Sequence, residues 1–188
     1  ATTPLKEKIK MIEKCTELII KNRYKLISTL IHDIAKPVQE ADLEISEAID
    51  FNNFYTHQIQ QKKPINITKN PPLGTILAAT PWNFPIAITA HKLTSALLTG
   101  NCVIVKPSPE SVLSCWHITT LFWKAGISKS ILQFTPYDEK IIGDQVLKEP
   151  KIKNIVLTGS TKTAEYILSK KPEINLIAET GGKNSIIV

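Results

Sequence analysis

No apolar run in the sequence is long enough to cross a bilayer, which excludes a membrane-spanning helix. The first residues, Ala1-Thr2-Thr3-Pro4, have no basic region followed by an apolar stretch, so they do not read as a secretory signal. An initiator methionine is also missing, and the chain reads as trimmed or internal. Cysteine is scarce. Cys15, Cys102 and Cys115 are the only three, an odd number with no C-x-x-C pair and no metal-ligand spacing. A disulfide framework and a metal site are therefore not expected, and buried, reduced thiols in a cytoplasmic protein are. Neither a Gly-x-Gly-x-x-Gly fingerprint nor a Gly-Lys-Ser/Thr P-loop occurs. Aromatic residues make up 6% and do not interleave with a basic stripe.

What is present is ordinary for a globular chain of 188 residues: 43% hydrophobic, 21% charged, net charge +6. That length buries one core, or one core with an appendage. The lysines are scattered, and only Lys62-Lys63 and Lys170-Lys171 are adjacent. A solvated basic surface is expected rather than a nucleic-acid site, with mild attraction for an anionic dinucleotide.

The first third has helical periodicity. Leu5, Ile9, Ile12, Cys15 and Ile19 form one apolar row, and Leu26, Ile27, Leu30, Ile31 and Ile34 form a second. Pro37 breaks the pattern and can open a third helix. On that helix Ala41, Ile45 and Ala48 share one face, while Glu40, Glu44 and Glu47 read as a solvated acidic side. Residues 58–72 form a polar connector with one alternating run, Ile65-Asn66-Ile67-Thr68, expected to be an exposed strand.

From Leu73 short apolar runs alternate with helix-length segments. Strands are expected at Gly74–Ala79, Cys102–Lys106, Ile131–Phe134 and Asn154–Leu157, with weaker signals at Asn175–Ala178 and Ser185–Val188. Helices are expected at Ile86–Leu98, Glu110–Lys124, Glu139–Leu147 and Thr161–Ser169. The fold class is α/β: a helical segment over 1–60, a connector over 61–72, and a Rossmann-like parallel sheet with flanking helices over 73–188. Such sheets bind ligands beyond the carboxyl ends of their strands, which directs attention to the loops after Ala79, Val105 and Leu157.

The first loop, Thr80-Pro81-Trp82-Asn83-Phe84-Pro85, holds an amide between two aromatics in a proline-stiffened turn. A fixed amide is a good donor to a developing oxyanion, and Asn also simply suits turns. In Lys106-Pro107-Ser108-Pro109 a lysine at a strand end can reach a ribose or phosphate, or it can be a plain surface lysine. Thr158-Gly159-Ser160-Thr161 opens a helix, where backbone N–H groups favour a phosphate and Ser160 can bind it or act only as N-cap. Glu179, ahead of Gly181-Gly182, can act as a general base or sit solvated before a turn.

Together and in this order, Pro81-Trp82-Asn83-Phe84-Pro85, Val105-Lys106-Pro107-Ser108, Thr158-Gly159-Ser160-Thr161 and Glu179-Thr180-Gly181-Gly182-Lys183 resemble the aldehyde dehydrogenase superfamily over Pro72–Val188. Glu-Thr-Gly-Gly and the segment Glu40–Phe51 are similar to L-glutamate γ-semialdehyde (Δ1-pyrroline-5-carboxylate) dehydrogenases, including the dehydrogenase half of bifunctional proline-utilisation proteins. The resemblance implies an NAD-dependent oxidation of aldehyde to carboxylate through a cysteine thiohemiacetal. It implies that Asn83 serves the oxyanion and that Glu179 activates water. Thr80, Pro81 and Trp82 would line the cofactor cleft, Lys106 and Ser108 would serve the ribose side, and Gly159 and Ser160 would meet the pyrophosphate.

The resemblance also places the nucleophilic cysteine beyond Val188, so these residues alone are expected to be inactive. Pro109 stands where many members carry a ribose-binding Glu, which loosens the preference for NAD over NADP. Pro136-Tyr137-Asp138-Glu139 replaces a Pro-Gly-x-Gly turn near the adenine with a bulkier, more acidic one. The expected partners are NAD, a complementary catalytic chain and further copies of the chain, with no nucleic acid and no membrane. The competing reading is a non-catalytic remnant, or a binding or oligomerisation module with weak or no NAD affinity.

Overall fold

The computed structural model describes residues 3–61, 71–182 and 185. Three helices come first: α1 (Leu5–Lys21), α2 (Arg23–Ile34) and α3 (Val38–Gln61). Then follow β1 (Thr75–Ala79), α4 (Ala87–Leu98), β2 (Cys102–Lys106), α5 (Val112–Lys124), β3 (Leu132–Phe134), α6 (Glu139–Lys148), β4 (Asn154–Gly159), α7 (Thr161–Lys170) and β5 (Asn175–Thr180). The expected α/β order is present. The alternating run at Ile65–Thr68 lies outside the described residues, as does all of the run at Ser185–Val188 except Ser185.

Among the described residues the five strands are parallel, in the order β3-β2-β1-β4-β5. β1 is central and its middle is buried on both faces, which explains the apolar run Ile76-Leu77-Ala78-Ala79 after Thr75. Its alternating side chains serve two cores. Ile76 and Ala78 join Val103, Val105, Leu93, Ile118 and Phe122 in one cluster with the buried rows of α1, α2 and α3. Leu77 joins Ile155, Leu157, Leu147 and Ile167 in the other, beneath α6 and α7. The N-terminal helices thus share a core with the sheet.

The bend between α2 and α3 is costly. Ala35 ends α2 in the left-handed region, with φ 55, which costs a non-glycine residue on the order of 1 kcal/mol. The chain then runs through buried Lys36 into α3, and Ala41 N–H bonds the Pro37 carbonyl at 2.8 Å.

One expectation for α3 is overturned. Its buried row is Ala41, Glu44, Ile45, Ala48, Asn52, Thr56 and Ile59. Glu40 is exposed and Glu47 partly so, but Glu44 is 0% exposed. A carboxylate can occupy that row because partners distant in sequence bind it, as described below. Asn52 is held likewise. Its Nδ2 donates to Thr16 Oγ1 at 3.2 Å, and its Oδ1 accepts from Thr94 Oγ1 at 2.5 Å, joining α1, α3 and α4.

Candidate functional site

The strand order reverses at β1. From β1 the chain moves to β2 and β3 on one side, and β4 and β5 add on the other. Loops leaving β1 and β4 therefore diverge and open a crevice beyond the strand ends. A cleft of about 860 Å³ lies there. It is lined by Thr80, Pro81, Trp82, Asn83, Lys106, Ser108, Gly159, Ser160 and Glu179, all the residues singled out in the sequence, brought together from four strand ends.

The loop after β1 is anchored at both ends. Thr80 N–H extends the ladder to the Lys106 carbonyl at 3.1 Å. Thr80 and Thr89 hydroxyls each lie 3.4 Å from the Cys115 sulfur, and the Cys115 thiol donates to the Pro85 carbonyl at 3.4 Å. Cys115 is fully buried beneath the loop, and burial pushes its thiol up, as suits a structural strut. Cys15 is pushed up in the same way. Above the strut, Trp82 is 53% exposed and Asn83 is exposed at the cleft.

Beneath Asn83 sits the buried acid of α3. Glu44 Oε1 accepts from the backbone N–H groups of Ile86 and Ala87 at 2.7 and 3.1 Å, where α4 has no side-chain cap of its own. A negative charge there is favoured by the helix dipole. Glu44 Oε2 pairs with Lys36 Nζ at 2.5 Å. The same ammonium donates to the Asn83 carbonyl at 2.8 Å and stands 3.6 Å from the centre of the Phe84 ring. Removing one member of such a buried pair typically costs about 3–5 kcal/mol.

On the β2 side Lys106 is buried, and desolvation pushes its ammonium below the ordinary lysine value against the opposing pull of Glu110. The Ser108 hydroxyl donates to Glu110, and that bond holds the Glu110 carboxyl below its usual range. Glu110 also lines the cleft. A carboxylate thus stands beside Lys106 although Pro109 precedes it. Tyr137, from the turn lacking glycines, brings its ring centre to 5.7 Å from Lys106 Nζ, and burial pushes its hydroxyl up. A second cavity, of about 60 Å³, lies between Lys106 and Tyr137 on one side and Gly143, Leu147, Tyr166 and Ile167 of α6 and α7 on the other.

Ser160 is the N-cap of α7. Its Oγ accepts from Thr163 N–H at 3.1 Å and lies 2.9 Å from Thr163 Oγ1. The N-terminal end of α7 thus borders the cleft, with Ser160 and Thr163 both in its lining. Glu179, at the end of β5, accepts from the Thr158 hydroxyl at 3.2 Å. Gly181 follows with φ +68, where an added Cβ would also come to 3.4 Å from Thr161 Oγ1.

Sequence reasoning missed three residues: Lys36, the burial of Glu44, and Lys92. Lys92, on α4, is 3% exposed, and desolvation pushes its ammonium down to about 8 while the Glu179 charge opposes that shift. His91, bonded to the Tyr55 hydroxyl at 2.6 Å, is lowered by burial and by the Lys92 charge. No local signal marked Lys92: α4 also carries Thr89, His91, Thr94 and Ser95, and only packing shows that most of the helix is buried.

Known proteins resemble this chain in sequence and fold. The family model described as "Aldehyde dehydrogenase family" matches residues 1–188. A D-glyceraldehyde dehydrogenase (NADP(+)) of Thermoplasma acidophilum is 36% identical, over 97% of this chain and 39% of its own length. A 1-pyrroline-5-carboxylate dehydrogenase of Anoxybacillus flavithermus is 28% identical, over 93% of this chain and 38% of its own length. The solved structure of Proline Utilization A (PutA) from Corynebacterium freiburgense superposes with a TM-score of 0.88 at 31% identity, covering 96% of this chain and 19% of that one. The chain therefore spans well under half the length of the curated relatives it matches. With the cleft at the strand reversal and a family match over every residue, the chain belongs to the aldehyde dehydrogenase family.

Proposed function

We propose that these residues are the NAD-binding portion of an aldehyde dehydrogenase that oxidises L-glutamate γ-semialdehyde to glutamate in proline catabolism. The observation that carries this reading is the gathering of Asn83, Lys106, Ser160 and Glu179 in one cleft at the strand reversal. The cleft suits a dinucleotide: a serine-capped helix N-terminus for the pyrophosphate, and a lysine beside a carboxylate for the ribose. When bound, the nicotinamide supplies a hydride acceptor. Asn83 donates its side-chain amide to the oxygen that gains charge at the aldehyde carbon. Glu179 takes a proton from the water that releases the acid. Ser108 orients Glu110, whose charge disfavours a 2′-phosphate and so favours NAD over NADP. Thr80, Pro81, Trp82 and Gly159 form the walls.

The nucleophilic cysteine belongs, on this reading, to polypeptide outside these residues, since none of Cys15, Cys102 and Cys115 lines the cleft. The three free cysteines suit the cytoplasm. The Thermoplasma relative supports a second reading, with D-glyceraldehyde and NADP as the reactants.

Titrating NAD⁺ and NADP⁺ against the chain tests the cofactor reading. Saturable binding that favours NAD⁺ and weakens in Lys106→Ala and Ser160→Ala is expected. Absence of binding at millimolar NAD⁺ leaves the remnant reading. Adding the cysteine-bearing polypeptide and comparing NADH formation from the two aldehydes tests the substrate.

A further inference from the structure

We infer that the buried Lys36–Glu44 pair is a positioning device for Asn83, reaching from the helical segment under the cleft to fix the loop that carries the oxyanion donor. The inference rests on the proposed role of Asn83. Glu44 is 0% exposed, and each of its carboxylate oxygens has a defined task. Oε1 gathers the N–H groups of Ile86 and Ala87 at 2.7 and 3.1 Å and so fixes where α4 begins. Oε2 orients Lys36 Nζ at 2.5 Å. Lys36 then clamps the loop, bonding the Asn83 carbonyl at 2.8 Å and covering the Phe84 ring at 3.6 Å. The Asn83 peptide is thereby held from below, while its side chain stays exposed at the cleft.

A plain core pair does not require this arrangement. Burying two charges is expensive, and apolar residues of similar size often stabilise a fold as well or better. Retaining charge beneath a loop makes physical sense where a carbonyl and a helix start must be held at fixed positions. An oxyanion donor is such a case, because its strength depends on being in place before charge develops. The left-handed Ala35 immediately before Lys36 marks the same site as one where the fold accepts strain. Neither Lys36 nor Glu44 lines the cleft, so neither is a catalytic residue.

The test is a kinetic cycle in the complete dehydrogenase polypeptide. The variants are Asn83→Ala, Glu44→Gln, the charge-free pair Lys36→Met/Glu44→Gln, and that pair combined with Asn83→Ala. The charge-free pair keeps a side-chain oxygen for the α4 N–H groups and leaves no unpaired buried charge, so it guards against simple unfolding. We expect it to lower kcat by on the order of tenfold to a hundredfold, as small misplacements of catalytic groups do. The dissociation constant for NAD⁺ should stay within about twofold, since the pair lies outside the cleft. Added to Asn83→Ala, the pair should cost nothing further, because its effect passes through Asn83. A Lys36→Arg variant, which keeps the charge and the donors, should recover most of the rate. Unchanged kcat in the charge-free pair, or losses that multiply with Asn83→Ala, would overturn the inference. If Asn83→Ala itself leaves kcat intact, the oxyanion reading has failed, and the positioning role fails with it.

Discussion

Replacing Lys92 with methionine should stabilise the chain at neutral pH and remove a pH dependence that the native protein carries. Lys92 is 3% exposed in the apolar body of α4, and desolvation lowers its ammonium from 10.5 to about 8 against the pull of Glu179. In the unfolded chain the amine keeps its ordinary value. Between about 8 and 10.5 the unfolded state therefore binds more protons than the folded one, and stability rises with pH. Below that window both states are protonated and the folded state bears the whole penalty. At about 1.4 kcal/mol for each tenfold change in proton activity, the gap corresponds to roughly 3 kcal/mol. Methionine has similar length and no charge to bury, so Lys92→Met should gain up to about 3 kcal/mol at pH 7 and progressively less by pH 10. Urea denaturation followed by tryptophan fluorescence at several pH values measures both proteins, and their difference cancels the other titrating groups. A difference that stays constant from pH 7 to pH 10 would falsify the assignment. Glu179→Gln should steepen the native dependence, because it removes the charge that supports the ammonium.

Ser160→Ala deletes the α7 cap and should cost about 1 kcal/mol by thermal or chemical denaturation, together with a weaker affinity for NAD⁺. Glu110→Gln should move the ratio of NAD⁺ to NADP⁺ dissociation constants toward NADP⁺, read by calorimetry; an unchanged ratio removes Glu110 from cofactor discrimination. Phe122→Ala, at a side chain that is 0% exposed in the larger core, should cost about 3–5 kcal/mol, measured by denaturant midpoint.

Much of the fold was legible locally. The strand expected at Gly74–Ala79 is Thr75–Ala79, and the helix expected at Thr161–Ser169 is Thr161–Lys170. The apolar row from Ile9 to Ile19 is buried. Apolar periodicity records which faces meet a core, and each strand or helix carries its own record. The four loop motifs could be found for a related reason. Prolines and glycines in short loops mark backbone that must turn or admit a ligand, and that requirement is written at the loop itself.

The sequence did not disclose how Glu44, Lys36 and Lys92 are used. By spacing, Glu44 belonged with Glu40 and Glu47 on a wet helix side. Its true partners are a lysine eight positions earlier and amides more than 40 positions later. The turn after Pro109 brings the Glu110 carboxylate to the cleft with Ser108. By itself the sequence determined the alternation of elements, the parallel sheet and the identity of the cleft loops, because those follow from local periodicity and turn chemistry. Only the tertiary structure decided which charges are buried, what they hold and which residues stand within reach of Glu179. A buried charge is tolerable only with partners in place, and chain folding, not sequence spacing, puts them there.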